Sequence, residues 1–317
     1  MTDAPGAAPD PVKGRGAVLV LGEALIDLVP TGDDAEEHRA QPGGAPANVA
    51  TGLARLATPS WFAGALGNDG FARSIERRLV RAGVELGLCA RPDLPTALAV
   101  ADPGPEGTAY HFHLQSTATF QVPRRMDVER FAAVYVGGLA AVVEPAASAV
   151  AVTARAAAAG SPLLVVDPNV REDRTLDAES GRQQLRELCE LGQVVKASDE
   201  DLARLWPDTA PDETCRRLAA DGRLVVLTRG SRGSTAYTGS AAPVSVPALR
   251  VEVVNTIGAG DAFMAAMITW MVAHGVHPGG AREFTPAFAE EMLGFASRVA
   301  ASVVAQAGTE PSLPERV

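Results

Sequence analysis

A chain of 317 residues that is 47% apolar can bury a large core in one α/β domain carrying an added element. Mean hydropathy is +0.07, and the apolar runs are strand-sized, too short for a helix that crosses a membrane. A formal charge of −10 argues against a nucleic-acid partner, which needs a basic surface, but leaves room for a small anion met by a few local cations.

Residues 1–16 are rich in Pro, Ala and Gly, lack a signal-like apolar core and read as a disordered tail ahead of a single domain, 17–317. Ala17–Leu21 is a continuous β-prone run, the pattern of a strand buried on both faces. Helical patterns follow at 45–56 and 71–82. Thr96–Val100 and Thr108–Leu114 flank the turn-rich stretch 102–107 without a crossover helix, which predicts a hairpin. With 28–41 it would form a small β-element off the main sheet. Strand-like runs at 133–136, 163–166, 194–195 and 224–227 then alternate with helical patterns at 145–159, 180–191 and 213–220. Alternation of this kind predicts a mostly parallel sheet covered by helices on both faces, a three-layer αβα sandwich. Cys89, Cys189 and Cys215 are odd in number and lack metal-type spacing, which fits a reducing cytoplasm.

In such a sheet the ligand lies beyond the carboxyl ends of the strands. Asp27, Asp167 and Thr228 each follow an apolar run and fall on that edge. The sharpest run is Gly258-Ala259-Gly260-Asp261, followed by Phe263, Ala266, Met267, Trp270 and Met271 at helical spacing, with Gly275 as a stop. Glycines opening a helix let an anion approach unpaired N–H groups and the positive end of the dipole. Asp261 in the first turn is then placed to take a proton from a hydroxyl while those groups stabilise a transferring phosphoryl group. Gly43-Gly44-Ala45-Pro46-Ala47-Asn48 likewise turns into a helix and sets Asn48 near its start, suited to a sugar hydroxyl. There is no Gly-x-x-x-x-Gly-Lys run and no complete Gly-x-Gly-x-x-Gly after the first strand, which argues against a P-loop NTPase and a common dinucleotide enzyme.

Taken together these runs resemble the PfkB (ribokinase-like) carbohydrate kinases. Gly43–Ala50 is similar to the family's first signature and Asn255–Phe263 to its second. Gly22–Asp27 resembles the opening of the fructokinase branch, and Ala65–Phe71, Asp167–Arg171, Thr228–Gly233 and Gly308–Pro314 match further family runs, so the resemblance spans Val18 to Pro314. It implies ATP-dependent phosphorylation of a sugar, with Asp261 as base and Gly258, Ala259 and Gly260 as anion hole. Asp27, Gly43, Gly44, Asn48, Asp167, Asn169 and Arg171 would bind the sugar under a β lid built from about 28–42 and 94–122. Lys196, Ser198, Thr228, Gly230, Gly233 and Ser297 would serve ATP, with Mg2+ on the phosphates.

Two positions depart from the family pattern. Asp201 stands in the slot of a Glu that influences magnesium, with Glu200 as a neighbour able to substitute. Asn255 stands where relatives usually carry an Asp that helps bind a monovalent cation, so the resemblance implies at most weak use of K+. Fructose is the first choice of substrate. A 2-keto-3-deoxy sugar acid follows, because Arg171 could pair with its carboxylate, then ribose or a nucleoside. A catalytically silent sugar sensor on the same fold is the reading outside enzymology, and the presence of Asp261 with both glycines favours the kinase. A homodimer paired through the lid is compatible with an exposed sheet edge. His111 and His113 share one face of a lid strand, read as its solvent side, and Arg229, like Arg171, has the guanidinium fork that suits phosphate.

Overall fold

The computed structural model describes residues 16–31, 37–104, 107–171, 178–239, 241–277, 284–306 and 310, with the backbone alone at 103–104 and 107–109. All but Gly16 of the tail expected at 1–16 lie outside the described residues.

Strand β1 (Val18–Leu21) leads into β2 (Leu25–Pro30) and β3 (His38–Gly43), then α1 (Ala45–Arg55), β4 (Ser60–Ala63) and α2 (Gly70–Ala82). The hairpin β5 (Leu98–Gly104) and β6 (Gly107–His113) follows. Next come β7 (Ala133–Gly137), α3 (Ala146–Ala159), β8 (Leu163–Asp167), α4 (Ala178–Leu191), β9 (Val194–Ser198), α5 (Asp199–Leu205) and α6 (Pro211–Ala219). The chain closes with β10 (Leu224–Thr228), β11 (Ser234–Thr238), β12 (Val244–Val246), α7 (Ala259–Ala273) and α8 (Pro286–Val304).

Eight strands form the main sheet in the order β12-β11-β10-β9-β8-β7-β1-β4. It is parallel from β10 to β4, with β11 and β12 added antiparallel at one edge. Side chains along each strand point alternately to two cores. Val18, Val20, Tyr135, Val165 and Val226 meet α1, α2, α7 and α8 on one face. Leu19, Leu21, Val134, Val166 and Leu227 meet α3 to α6 on the other. Burial on both faces is why these strands are unbroken apolar runs, and the three-layer architecture is the one expected.

The second sheet has the order β3-β2-β5-β6. β2 pairs antiparallel with β3 and parallel with β5, and β5 pairs antiparallel with β6. It begins at Leu25, three residues earlier than the pattern suggested, because the corner Gly22-Glu23-Ala24 carries the chain from β1 straight into it. Asp102, Pro103 and Gly104, expected in the turn, are instead paired with Ala109, Thr108 and Gly107. Among the described residues no helix is long and apolar enough to cross a membrane.

Candidate active site

A cavity of about 320 Å³ opens between the carboxyl edge of the main sheet and the small sheet. Two backbone turns shape it. Gly44 caps α1 at φ 96°, and a Cβ there would lie 2.7 Å from the Glu23 carbonyl oxygen; only glycine fits that approach. Gly258 caps α7 in the left-handed region at φ 80°. Gly258, Gly260 and Asp261 line one wall, Asn48 and Ala45 another, and Asp27, Tyr110 and Phe112 come from the small sheet. Asn169, held at φ 41°, and Arg171 enter from the loop after β8. Asn tolerates that left-handed backbone better than most residues.

Asp261 is the third residue of α7 and accepts a hydrogen bond from Asn48 Nδ2 at 2.8 Å. Burial pushes its carboxyl above the usual range, against the pull of the Asn48 bond and of Lys196, Arg171 and Arg78. A carboxylate so placed binds a proton more readily than one in water, as a general base must. Burial, with Asp261 as a like-charged neighbour, pushes Asp27 up to about 6. Glu23 is buried and pushed up to about 7 by desolvation, although the N–H groups of Leu139 and Ala140 donate to it at 3.2 and 2.9 Å.

Lys196, expected on the ATP side, lies beneath the glycine turn, where a Cβ on Gly260 would sit 3.5 Å from its Nζ. It donates to Asp167 Oδ2 at 2.8 Å in a buried ion pair. Burial pushes Asp167 up to about 6, while Asp167 and its acidic neighbours push Lys196 upward, so at neutral pH both are charged. Asp167 therefore anchors Lys196 and is buried behind the cavity lining, where it was expected to meet the sugar. Gly43 also stays outside the lining and packs against Asp27, leaving no room for a Cβ. The Ala259 N–H turns to Thr256 O at 3.3 Å, so within the run Gly258 and Gly260 are the ones facing the cavity.

The remaining expected residues lie away from this lining. Ser198 caps α5 and its hydroxyl and N–H donate to Asp201 Oδ2, while Asp201 Oδ1 takes the Val170 N–H at 2.8 Å. Both oxygens of Asp201 are thus committed to the local fold, whereas Glu200 is exposed. Thr228 ends β10, Gly230 and Gly233 form the turn after it at φ 53° and 89°, and Ser297 is buried on α8. Asn255 Oδ1 accepts the Ile257 N–H at 3.0 Å. Arg229 donates to Asp212 at 2.7 Å and to Thr235 at 2.9 Å and lies outside the lining of this cavity. His111, next to Asp102 at 3.3 Å, is on the exposed side of β6, opposite Tyr110 and Phe112.

Sequence reasoning passed over Glu23, Tyr110, Phe112 and Leu139 as cavity residues. Glu23 sits within the Gly22–Asp27 run, and the two aromatics alternate with the histidines, so both signals were present in the spacing.

A carboxylate of raised proton affinity behind two glycines at a helix start, over a buried lysine and under a β-sheet, is an arrangement able to serve phosphoryl transfer onto a small-molecule hydroxyl. Residues 16–316 match the pattern of the pfkB family carbohydrate kinases, and the chain belongs to that family of ATP-dependent kinases. It is 32% identical over 314 residues to a probable fructokinase-4 of Arabidopsis thaliana, covering 95% of this chain and 94% of that one. A fructokinase of Klebsiella pneumoniae is 33% identical over 272 residues, 83% of this chain and 86% of its own. Among solved structures, a Vibrio cholerae O395 fructokinase with fructose, ADP and calcium ion superimposes with a TM-score of 0.78 at 26% identity, covering 95% and 96% of the two chains. A Xylella fastidiosa fructokinase with bound ATP gives 0.82 at 25% identity, covering 94% and 96%.

Proposed function

We propose that this kinase transfers the γ-phosphoryl group of ATP to a primary hydroxyl of fructose, with Asp261 as the base. The observation that carries the reading is Asp261 itself, raised in proton affinity, held by Asn48 and open to the cavity beside the α7 N-terminus. The fructokinase relatives support the choice of sugar.

In this mechanism Asp27, Asn48 and Asn169 orient the sugar hydroxyls, and Asp261 accepts the proton as the oxygen attacks phosphorus. Charge on the transferring group meets the Gly258–Gly260 turn and Lys196, groups fixed before the reaction and worth about 10²- to 10³-fold per donor in comparable sites. Tyr110 and Phe112 cover the sugar and exclude water that would otherwise hydrolyse ATP. Ser198, Thr228, Gly230, Gly233 and Ser297 serve the nucleotide.

Among the described residues no cluster of three His, Cys, Asp or Glu is placed to hold a metal. That fits magnesium carried largely by the nucleotide phosphates, with Glu200 better exposed than Asp201 to approach it. Bound there, the ion would neutralise phosphate charge. Asn255 is uncharged and its side-chain oxygen already serves Ile257, so turnover in potassium and in tetramethylammonium salts is expected to be alike. Asn255→Asp should then introduce a preference for potassium; a strong preference in the unmodified protein would refute the assignment.

The deciding assay is Mg-ATP turnover on fructose, ribose, 2-keto-3-deoxygluconate and a nucleoside. Fructose should show the highest kcat/KM. A preference for the keto-deoxy acid would favour the second reading, which rests on Arg171 in the cavity wall. Gly43→Ala would place its Cβ 2.0 Å from Asp27 Oδ2. Displacing that carboxylate should raise the KM for the sugar by about tenfold or more, with the KM for ATP unchanged. An unaltered sugar KM would remove Asp27 from the sugar site. The three free cysteines support a reducing cytoplasm as the place of action.

A further inference from the structure

We propose that Arg78 is a positioning residue for the base: its guanidinium fixes the amide of Asn48 in the one orientation that lets Asn48 hold Asp261, and Glu310 keeps that guanidinium in place. The inference rests on the reading of Asp261 as the base.

Arg78 belongs to α2, whose apolar face packs into the core through Ala72, Ile75 and Leu79. Its side chain is only 12% exposed. Nη1 carries two hydrogens and has two acceptors: Pro42 O at 2.7 Å and Asn48 Oδ1 at 2.9 Å. Nε faces Glu310 Oε1 at 3.4 Å, and Glu310 also pairs with Arg55. A continuous path therefore runs from the carboxyl-terminal region through Glu310, Arg78 and Asn48 to Asp261.

An asparagine amide has an acceptor end and a donor end, and rotating it by half a turn exchanges them. With Oδ1 drawn to a guanidinium, Nδ2 must point to Asp261, where it donates at 2.8 Å. Without Arg78 the rotated amide would set its oxygen against a carboxylate. Pro42 immediately precedes the Gly43–Gly44 turn, so the same Nη1 also ties the end of lid strand β3 to the base. Holding Pro42 and Asn48 through Nη1 while Nε faces Glu310 needs donors at separate points of a rigid plane, which the single ammonium nitrogen of a lysine cannot supply.

The charge of Arg78 acts on Asp261 together with other groups. Asp27 faces it from β2, Tyr135 from β7, Asp167 from the end of β8, Arg171 from the following loop and Lys196 from β9. Glu23 shares the cavity from the β1–β2 corner. Arg78 is one of three cations that hold the Asp261 carboxyl down against burial, so its loss adds to the rise.

The test measures kcat, KM and the pH profile of kcat/KM in folded Arg78→Met and Arg78→Lys. Arg78→Met should lower kcat by about 10- to 100-fold and move the acid limb to higher pH. Arg78→Lys keeps the charge but not the fork, so kcat should fall while the limb stays near its original place. Because Arg78 acts through Asp261, adding Arg78→Met to Asp261→Asn should slow the enzyme no further. Wild-type kcat in Arg78→Lys, or a fully additive loss in the double variant, overturns the proposal. The Lys variant carries the test alone if the Met variant does not fold. Unchanged turnover in Asp261→Asn by itself would instead defeat the reading of Asp261, a different and separately visible result.

Discussion

Asp261→Asn should lower turnover by about 10²- to 10⁴-fold, the contribution of a positioned general base, while fructose binding measured by calorimetry persists. The substitution keeps an acceptor for Asn48 Nδ2, which now donates to Asp261 at 2.8 Å, so the wall of the cavity survives. It should also raise the melting temperature at neutral pH. Burial lifts the folded-state proton affinity of Asp261 above that of the unfolded chain, so the ionised form costs stability once pH passes that value. A neutral amide avoids the cost. Higher stability with lost activity is the signature of a group retained for chemistry. Undiminished turnover would remove Asp261 from its role, and lost fructose binding would show that the side chain serves the sugar first.

Glu23 should make stability fall as pH rises through neutrality. Its carboxyl moves from 4.5 to about 7 on folding, a difference worth roughly 3 kcal/mol between its protonation states. The sign follows from linkage: a raised folded-state value means that the native protein holds the proton over the window from about 4.5 to 7 while the unfolded chain has released it. The resulting stabilisation is present at the acid end and lost as pH climbs through about 7. Asp27 and Asp167, both pushed up to about 6, act in the same direction just below. Thermal melts of wild type and Glu23→Gln across this range isolate the effect. The advantage of wild type over the variant should be largest near the acid end and shrink toward the alkaline end. Gln also turns a donor toward the N–H of Leu139 or Ala140, which costs about 1–3 kcal/mol at every pH and leaves the slope unaffected. A wild-type advantage that grows with pH would show Glu23 to be held ionised by those two N–H groups, opposite to the effect of its burial.

Much of this was legible before the fold was known. The runs Val18–Leu21, 133–136, 163–166 and 224–227 announced doubly covered strands because each of their residues is buried on one face or the other. Short elements interrupted by polar residues escaped: β4 opens on Ser60 and β12 is centred on Ser245, so neither is an unbroken apolar run and neither is long enough to show a period. Helix α8 carries helical spacing at Ala289, Met292, Leu293, Ala296 and Val299, so its buried face is also written in the sequence.

Within the site, the sequence by itself determined the local pieces. Glycines at 44 and 258 are required by positive φ at two helix starts, and an acidic third residue of α7 is visible in the same run. Local backbone geometry depends on neighbours in the chain, and neighbours are what a sequence displays. Tertiary structure alone decided the partnerships. Asn48 meets Asp261 across 213 residues, Arg78 approaches Glu310 across 232, and Lys196 pairs with Asp167 while still lining the cavity. It also set the proton affinities of Glu23, Asp27 and Asp261, since desolvation comes from atoms gathered from the whole fold. The residue types fixed which chemistry was available; packing at long separation in the chain fixed how far each carboxylate is desolvated, which is anchored in an ion pair and which faces the cavity.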